Sequence, residues 1–430
     1  MQDFMINDVI IVGAGPAGLF AALAASGRFP QNSREKRTHE KKGVQNVPRK
    51  ILLLEKNPTA GRKLLLAGGG RCNVTHEGEM RDFLPKYGAA ERFVKPVLFE
   101  FSNTSLINFL AEEGVLCQTR DDGKIFPRSE SARDVLSAIL RATESAGVCI
   151  RYKNPVRDVE FLEEQFLFRV CTPETTYLSR TLILAVGGKS YPNTGATGDA
   201  TFLAPKFNHS IRTLRPALTP VLVRNYALKN CSGISLRNVL ITQWRDSKKI
   251  ASRVGDVLFA LNGLSGPGIL DLSKGIQKND VLTLSLAPDW TDRSLLDVLE
   301  RHANKRLPAA LALELNVAER LVSTLLRQKG LDERRCLEIS RQERKTTLSI
   351  INMNPFVIQS LGDFRLAMVT TGGVVLEEIN RQTMESRLRS GLFFCGEMLD
   401  VDGDTGGYNL QFAFSSGVAA GRGARRFLDV

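Results

Sequence analysis

The run GAGPAG at Gly13–Gly18 places glycines at the spacing G-x-G-x-x-G, directly after the apolar stretch DVIIV and directly before an alanine-rich stretch. A strand, a glycine turn and a helix in that order build a phosphate site. Gly13 permits the tight turn, Gly15 lets the backbone approach a pyrophosphate, and Gly18 lets the helix pack on the strand. The N–H groups and positive end of the helix then face the anion. Such a motif wants an acid on the next strand to bind a ribose hydroxyl. Glu55 ends the second apolar strand, RKILLLEK. An acid there, rather than a basic residue, favours an unphosphorylated ribose, hence FAD or NAD.

Two further runs carry site chemistry. GRKLLLAGGGRCN, Gly61–Asn73, sets Arg62, Lys63 and Arg71 around three consecutive glycines. Amide donors beside such cations suit a pyrophosphate or an electron-rich ring. GEMLDVDGDTGGYNLQ, Gly396–Gln411, is a glycine loop with four acids, Glu397, Asp400, Asp402 and Asp404. It ends at Gly406–Gly407 and opens a helix carrying Asn409 and Gln411, whose positive end suits the electron-rich edge of a reduced flavin. The acid spacing E-x2-D-x-D-x-D lacks the ligand pattern of a calcium loop, so no metal is expected. Cys72, beside Arg71 and the glycines, has the surroundings that lower a thiol pKa. No partner cysteine is near it in sequence, and a packing role is favoured. Tyr191, Tyr408, Asp400 and Asp404 are the general acid/base candidates, and none is singled out as catalytic.

The elements that must position these motifs read as an α/β protein. Continuous apolar runs suit parallel strands covered on both faces. Ser131–Gly147 reads as a capped amphipathic helix. Strand-like pieces follow at 148–152, 156–161, 166–171 and 178–186. From about Phe207 the texture changes to short strands and then helices, and parallel-sheet character returns near residue 355. The expectation is a Rossmann-like nucleotide-binding domain in two parts, 1–206 and 355–430, interrupted by an inserted domain at 207–354. One fingerprint is present, so one tightly held cofactor is expected and no second Rossmann domain for NAD(P)H as electron donor.

Composition sets bounds. The chain has 430 residues, 43% hydrophobic and 24% charged, as in globular proteins. No apolar run reaches the roughly 18 residues of a membrane span. The first strand begins almost at once, leaving no room for a signal peptide. The seven cysteines form no CxxC pair, which points to reduced thiols in the cytoplasm. The net charge of +12 is unevenly placed: residues 31–50 carry seven Lys/Arg against two Asp/Glu, residues 223–350 carry twenty-one against fourteen, and the rest is balanced. Residues 31–50 have no apolar period and read as an exposed loop insertion. A polyanion such as structured RNA fits this asymmetry, with Lys248–Lys249, Lys305–Arg306 and Arg344–Lys345 as natural contacts. A plain basic surface fits it too.

Taken with GKIFPRS (Gly123–Ser129), GGKSYPNTGATGD (Gly187–Asp199), GLSGPGILDLS (Gly263–Ser273) and TTGGV (Thr370–Val374), these motifs resemble the BaiN/RdsA-like, or aminoacetone-oxidase-like, family of flavoproteins over nearly the whole chain. The resemblance implies a two-part FAD domain with an inserted domain containing a small β-barrel and helices. It implies FAD on Gly13, Gly15, Ala17, Glu55, Arg62, Lys63, Gly70, Asn73, Gly396, Asp402, Gly407, Asn409 and Gln411, with Val156 touching the adenine half through its backbone. Members are linked to amine oxidation, to reduction of steroid double bonds and to reduction of uridine in ribosomal RNA; the GGKSYPNTGATGD form looks more like the first two. The function expected is an FAD-dependent oxidoreductase passing a hydride through flavin N5 to or from a small molecule. The alternatives are a dihydrouridine-synthase-like enzyme acting on ribosomal RNA and a non-catalytic flavin redox sensor.

Overall fold

The computed structural model describes residues 6–29 and 49–430, so the basic 31–50 insertion lies almost wholly outside the described residues. The chain forms two compact units, one of residues 1–215 with 369–430 and the other of residues 216–368.

The first unit is built on a seven-stranded sheet. Strand β1, Ile6–Val12, lies between β2, Ile51–Leu54, and the strand Thr176–Leu184, parallel to both. β2 and the C-terminal halves of the other two are apolar and buried on two faces, as a covered parallel sheet requires. Cys149–Arg151 adds in parallel outside β2. The outer edge of Thr176–Leu184 is shared: its first half pairs antiparallel with Leu167–Cys171, and its second half pairs parallel with Leu392–Phe394. Asp158–Leu162 completes the hairpin with Leu167–Cys171. Parallel-sheet character therefore returns at Leu392 and not near residue 355. Residues 354–361 form an antiparallel strand of the other unit.

Helix α1, Pro16–Ser26, packs closely on the C-terminal helix Tyr408–Leu428. Small residues make the approach possible: a Cβ at Gly417 would lie 2.3 Å from Ala17 O, and one at Gly421 would lie 2.2 Å from Ala21 O. A small sheet of Thr75–His76, Lys124–Pro127 and Cys117–Thr119 sits beside the glycine loop.

The second unit is a closed six-stranded barrel, in the order Val221–Val223, Gly263–Ser265, Lys248–Ala260, Ser235–Arg245, Val281–Ser285 and Asn354–Leu361. Closure leaves no free sheet edge. Helices Asp292–Arg301, Leu307–Leu315, Glu319–Arg327 and Arg341–Met353 share its separate core. The last barrel strand explains why this unit runs past residue 354: without it the barrel stays open. No helix among the described residues is long and apolar enough to cross a membrane.

Candidate functional site

The fingerprint turn sits between β1 and α1, and its three glycines differ in what demands them. Gly13 has φ +102°, and a Cβ there would lie 2.5 Å from Ala185 O. A Cβ at Gly18 would lie 1.9 Å from Gly13 O. Both serve the protein's own packing. Gly15 is the N-cap of α1, with φ −80°, a conformation open to any residue. An added Cβ meets nothing within 4 Å. The space in front of it is a cradle at a helix N-terminus, the fit expected for a phosphate.

Glu55 directly follows β2 and is buried. Its Oε2 accepts the Ala14 N–H at 2.8 Å, and its Oε1 accepts the backbone and side-chain N–H of Asn57 at 2.8 and 2.7 Å. With three acceptor positions filled, lone-pair capacity for a hydroxyl donor remains. The Asn154 N–H donates to Glu55 O at 2.9 Å, so the loop holding half-buried Val156 runs beside Glu55.

The glycine loop at 61–73 is a tight turn. Gly68, Gly69 and Gly70 all have positive φ, at +58°, +68° and +87°, and Cys72 follows at +63°. Four such residues within five turn the backbone back on itself, and the Cys72 N–H donates to Ala67 O at 2.8 Å. The Asn73 side-chain oxygen beside it is buried without a hydrogen-bond partner, an orphan acceptor at the place a ligand donor is wanted. Arg62 donates to Asn57 Oδ1 at 2.9 Å, and Arg71 donates to Gly68 O within its own loop. Burial, with the neighbouring Cys117 thiol adding to it, pushes the Cys72 thiol up to about 12. A thiol so placed is not a thiolate near neutral pH, which agrees with packing rather than reagent chemistry.

Lys63 is the centre of a cluster that ties four sequence motifs together. Its ammonium donates to Ser190 Oγ and to Glu397 Oε2, both at 2.5 Å. Ser190 Oγ donates to Glu397 Oε1 at 3.0 Å, and the Thr370 N–H donates to the same oxygen at 2.8 Å. Thr370 Oγ1 in turn accepts the N–H groups of Lys189 and Ser190. Gly188 is required there, since a Cβ would lie 2.5 Å from Thr370 Oγ1. Lys63 and Glu397 are one half-buried ion pair, and sequence spacing gave no sign that Glu397, read as one of four acids, is its partner.

The C-terminal helix turns the side chains of Asn409 and Gln411 into the protein. Gln411 is fully buried with its amide hydrogen-bonded at both ends. Its oxygen accepts Thr75 Oγ1–H at 2.7 Å, and its nitrogen donates to Phe101 O at 3.1 Å and Ser415 Oγ at 3.0 Å. Both amide hydrogens and one acceptor position of that side chain are thus spent within the protein. Asn409 accepts the Gly403 N–H at 2.8 Å and donates to Gly403 O and Asp404 O. It closes the acidic loop onto the helix. Gly407, the N-cap, has φ +98°, and a Cβ would lie 2.6 Å from the Thr75 backbone. The Gly396 N–H donates to Ser416 Oγ at 3.0 Å, while its own φ is +75°.

The acid/base candidates separate as well. Asp400 accepts from Arg212 and from the Gly372 N–H, each at 3.0 Å. Asp402 and Asp404 are half-buried on the same loop. The Tyr408 ring is buried, stacked on His76 with centroids 5.2 Å apart, and its carbonyl accepts from the Tyr87 hydroxyl. Tyr191 is half-buried at φ +54°, and burial raises its phenol. His76, whose ring also meets the carbonyls of Glu77 and Asp122, is a neighbour of this site that sequence reasoning missed. Its place directly after the glycine loop was the available signal.

This arrangement has known counterparts. The model of the HI0933-like protein Rossmann domain matches residues 7–423. The chain belongs to that family. It is an FAD-dependent oxidoreductase, and the open Gly15 cradle, the Glu55 carboxylate and the orphan Asn73 acceptor fit a dinucleotide of that kind. A ribosomal RNA dihydrouridine synthase of Haemophilus influenzae is 29% identical over 96% of this chain and 97% of its own length. The Escherichia coli protein of the same name is 28% identical, over 95% and 96%. A 3-dehydro-bile acid Δ4,6-reductase of Clostridium scindens is 26% identical, over 97% and 99%. A solved 3-ketosteroid-Δ4-(5α)-dehydrogenase from Rhodococcus jostii RHA1, in complex with 4-androstene-3,17-dione, shares the fold with a TM-score of 0.52 and 14% identity, over 99% of this chain and 98% of that one.

Proposed function

We propose that this protein reduces a carbon–carbon double bond conjugated to a carbonyl group. The observation that carries the reading is the convergence of four loops on Lys63, Ser190, Thr370 and Glu397 within the unit that holds the open Gly15 cradle. The relatives' names supply the reaction class. A dihydrouridine synthase saturates a ring double bond next to a carbonyl, and a Δ4,6-reductase of 3-dehydro bile acids saturates double bonds conjugated to a ketone. The substrates differ, but the bond type is shared.

FAD supplies the hydride at N5 when bound. In this reading Gly15 and Ala17 hold the pyrophosphate at the N-terminus of α1, and Gly13 shapes the turn that presents them. Glu55 takes a ribose hydroxyl, and the Val156 backbone lies at the adenine. Arg62, Lys63, Gly70 and Asn73, with Gly396, Asp402 and Gly407, surround the flavin half. Lys63 keeps a fixed positive charge there because Glu397 and Ser190 hold its ammonium in place. Asn409 and Gln411 act only through the loop and helix that they brace. The test is to reduce the purified protein anaerobically and follow flavin reoxidation with a cyclic enone, a saturated ketone and an imine. Reoxidation by the enone alone is expected. Equal reoxidation by all three, or by none, overturns the reading, and the second outcome fits a redox sensor. Release of FMN in place of FAD on denaturation overturns the cofactor assignment.

A second reading places the double bond in a uracil of structured RNA. The net basic stretch 223–350 and the names of two relatives favour it. Lys248, Lys249, Lys305 and Lys345 are exposed and have no salt-bridge partner among the described residues. Arg306 is paired with Glu319 and Glu333, and Arg344 with Asp292, which narrows the six expected contacts to four. Dihydrouridine mapping of total RNA with and without the gene decides the substrate. Filter binding should give non-specific affinity of about 10⁻⁴–10⁻⁶ M, falling steeply with salt.

A further inference from the structure

The motif GKIFPRS runs from the strand beside the glycine loop, where Phe126 packs against Gly68, and ends beyond that contact at Arg128–Ser129. These two exposed residues line an open surface hollow of about 420 Å³ in the first unit, together with Leu116, Asp134, Ser137 and Arg141. We propose that this cavity binds a phosphate ester of nucleotide size, held by the guanidinium groups of Arg128 and Arg141. Its volume falls within the range of small-ligand sites, roughly 300–1,000 Å³.

The chemistry of the lining favours an anion. Two guanidinium groups border one hollow, and neither has a carboxylate partner among the described residues. Arg141 donates only to the backbone carbonyl of Glu113, at 3.1 Å. The side chain of Arg128 makes no hydrogen bond, ion pair or ring contact among the described residues, and the hydroxyls of Ser129 and Ser137 are likewise unpartnered. Some arginines of this unit have carboxylate partners, as Arg28 has Glu113 and Arg389 has Glu163, while Arg62, Arg71 and Arg387, like Arg141, meet only neutral acceptors. Guanidinium forks suit phosphate oxygens, and the serines add neutral donors. Asp134 on the rim has neither arginine within salt-bridge distance, and a carboxylate there is an acceptor for hydroxyl or amino groups of a phosphate-bearing ligand. Leu116, 54% exposed, offers an apolar wall for a ring.

The site reaches the cofactor region mechanically. Ser137 and Arg141 lie on helix Ala132–Ser145, whose buried Leu136 packs where a Cβ on Gly61 would lie, 2.4 Å from Leu136 Cδ1. That helix braces the start of the glycine loop, while its exposed residues face the cavity.

The proposal is independent of the substrate reading, and calorimetry on the FAD-loaded full chain tests it. With FAD bound, adenosine monophosphate cannot report on the cofactor site. AMP should bind with one equivalent, adenosine about tenfold or more weaker, and the double variant R128S/R141S should bind AMP about tenfold or more weaker, the loss expected when charge-assisted bonds go. The variant's flavin spectrum should match the wild type, since neither residue touches the glycine loop. D134N should bind AMP at least as well as wild type. No AMP binding up to about 10 mM, adenosine binding as tightly as AMP, or unchanged AMP binding by the double variant each overturns the proposal.

Discussion

Two helices of the first unit begin the same way on paper: glycines, then an alanine-rich or small-residue helix. At α1 the N-cap glycine faces open space, and an added Cβ meets nothing within 4 Å. At the C-terminal helix the N-cap glycine is pressed against the chain, 2.6 Å from the Thr75 backbone for an added Cβ. The polar side chains diverge in parallel. Asn409 and Gln411 turn back into the protein, whereas Asn73, near the first site, keeps a buried oxygen without a partner. Glycine at a helix start thus has two causes. One is the approach of a ligand, and the other is the approach of the protein's own backbone.

The comparison breaks most visibly by substitution at its two glycines. Gly407→Val should cost about 3 kcal/mol or more of stability, because it combines a positive φ with a backbone collision. The measurement is chemical unfolding of the apoprotein. Gly15→Val should change apoprotein stability by less than about 1 kcal/mol, since φ and space both tolerate a side chain. Its flavin content should nonetheless fall to near zero, because the valine fills the cradle. If the two variants lose stability equally, the distinction between the helix ends is wrong.

Gln411→Leu sharpens the packed half. It strips partners from Thr75 Oγ1, Phe101 O and Ser415 Oγ, and should cost about 2–4 kcal/mol. A variant that loses FAD affinity without losing stability would return Gln411 to the cofactor's contacts.

The same saturation occurs at His209, buried between two partners of the first unit. Its Nδ1 faces Glu378 at 2.9 Å, and its Nε2 faces Ser386 Oγ at 2.7 Å. Ser386 Oγ also accepts the N–H groups of Leu388 and Arg389, so it donates its proton to His209 and fixes the neutral ring. Burial lowers the imidazole below its ordinary 6.5, against the pull of Glu378. Below that pH the unfolded chain binds a proton that the folded chain resists, so stability falls as the pH drops from about 6.5, by at most about 1.4 kcal/mol per pH unit. His209→Gln should flatten a melting-temperature profile between pH 7 and 5.

The smallest effect is expected at Cys72. Cys72→Ala removes one buried sulfur and should cost about 1 kcal/mol, with flavin content and turnover kept. The native thiol should resist alkylation at pH 8, because burial holds it near 12. A turnover loss of about 10²-fold in this variant would make the thiol a reagent after all.

The sequence by itself determined the first helix end. Strand, turn and helix are local in spacing, and local spacing fixes where an anion meets N–H groups. The acid was legible because it ends the next apolar strand, although the insertion sets it 41 residues from Ala14. The sequence also determined that an insert interrupts the sheet, because texture changes along the chain, whereas the barrel was implied only by the family resemblance. The tertiary structure alone decided what stands opposite each glycine and each amide. Gly407 owes its identity to Thr75, and Gln411 to Thr75 and Phe101, each more than 300 residues away in the chain. Lys63 meets Glu397 at a separation of 334, and no helical or strand period carries that distance. Residue types and their periods record propensity and charge, but a hydrogen bond needs two atoms within about 3 Å, and only the packed chain brings distant atoms that close.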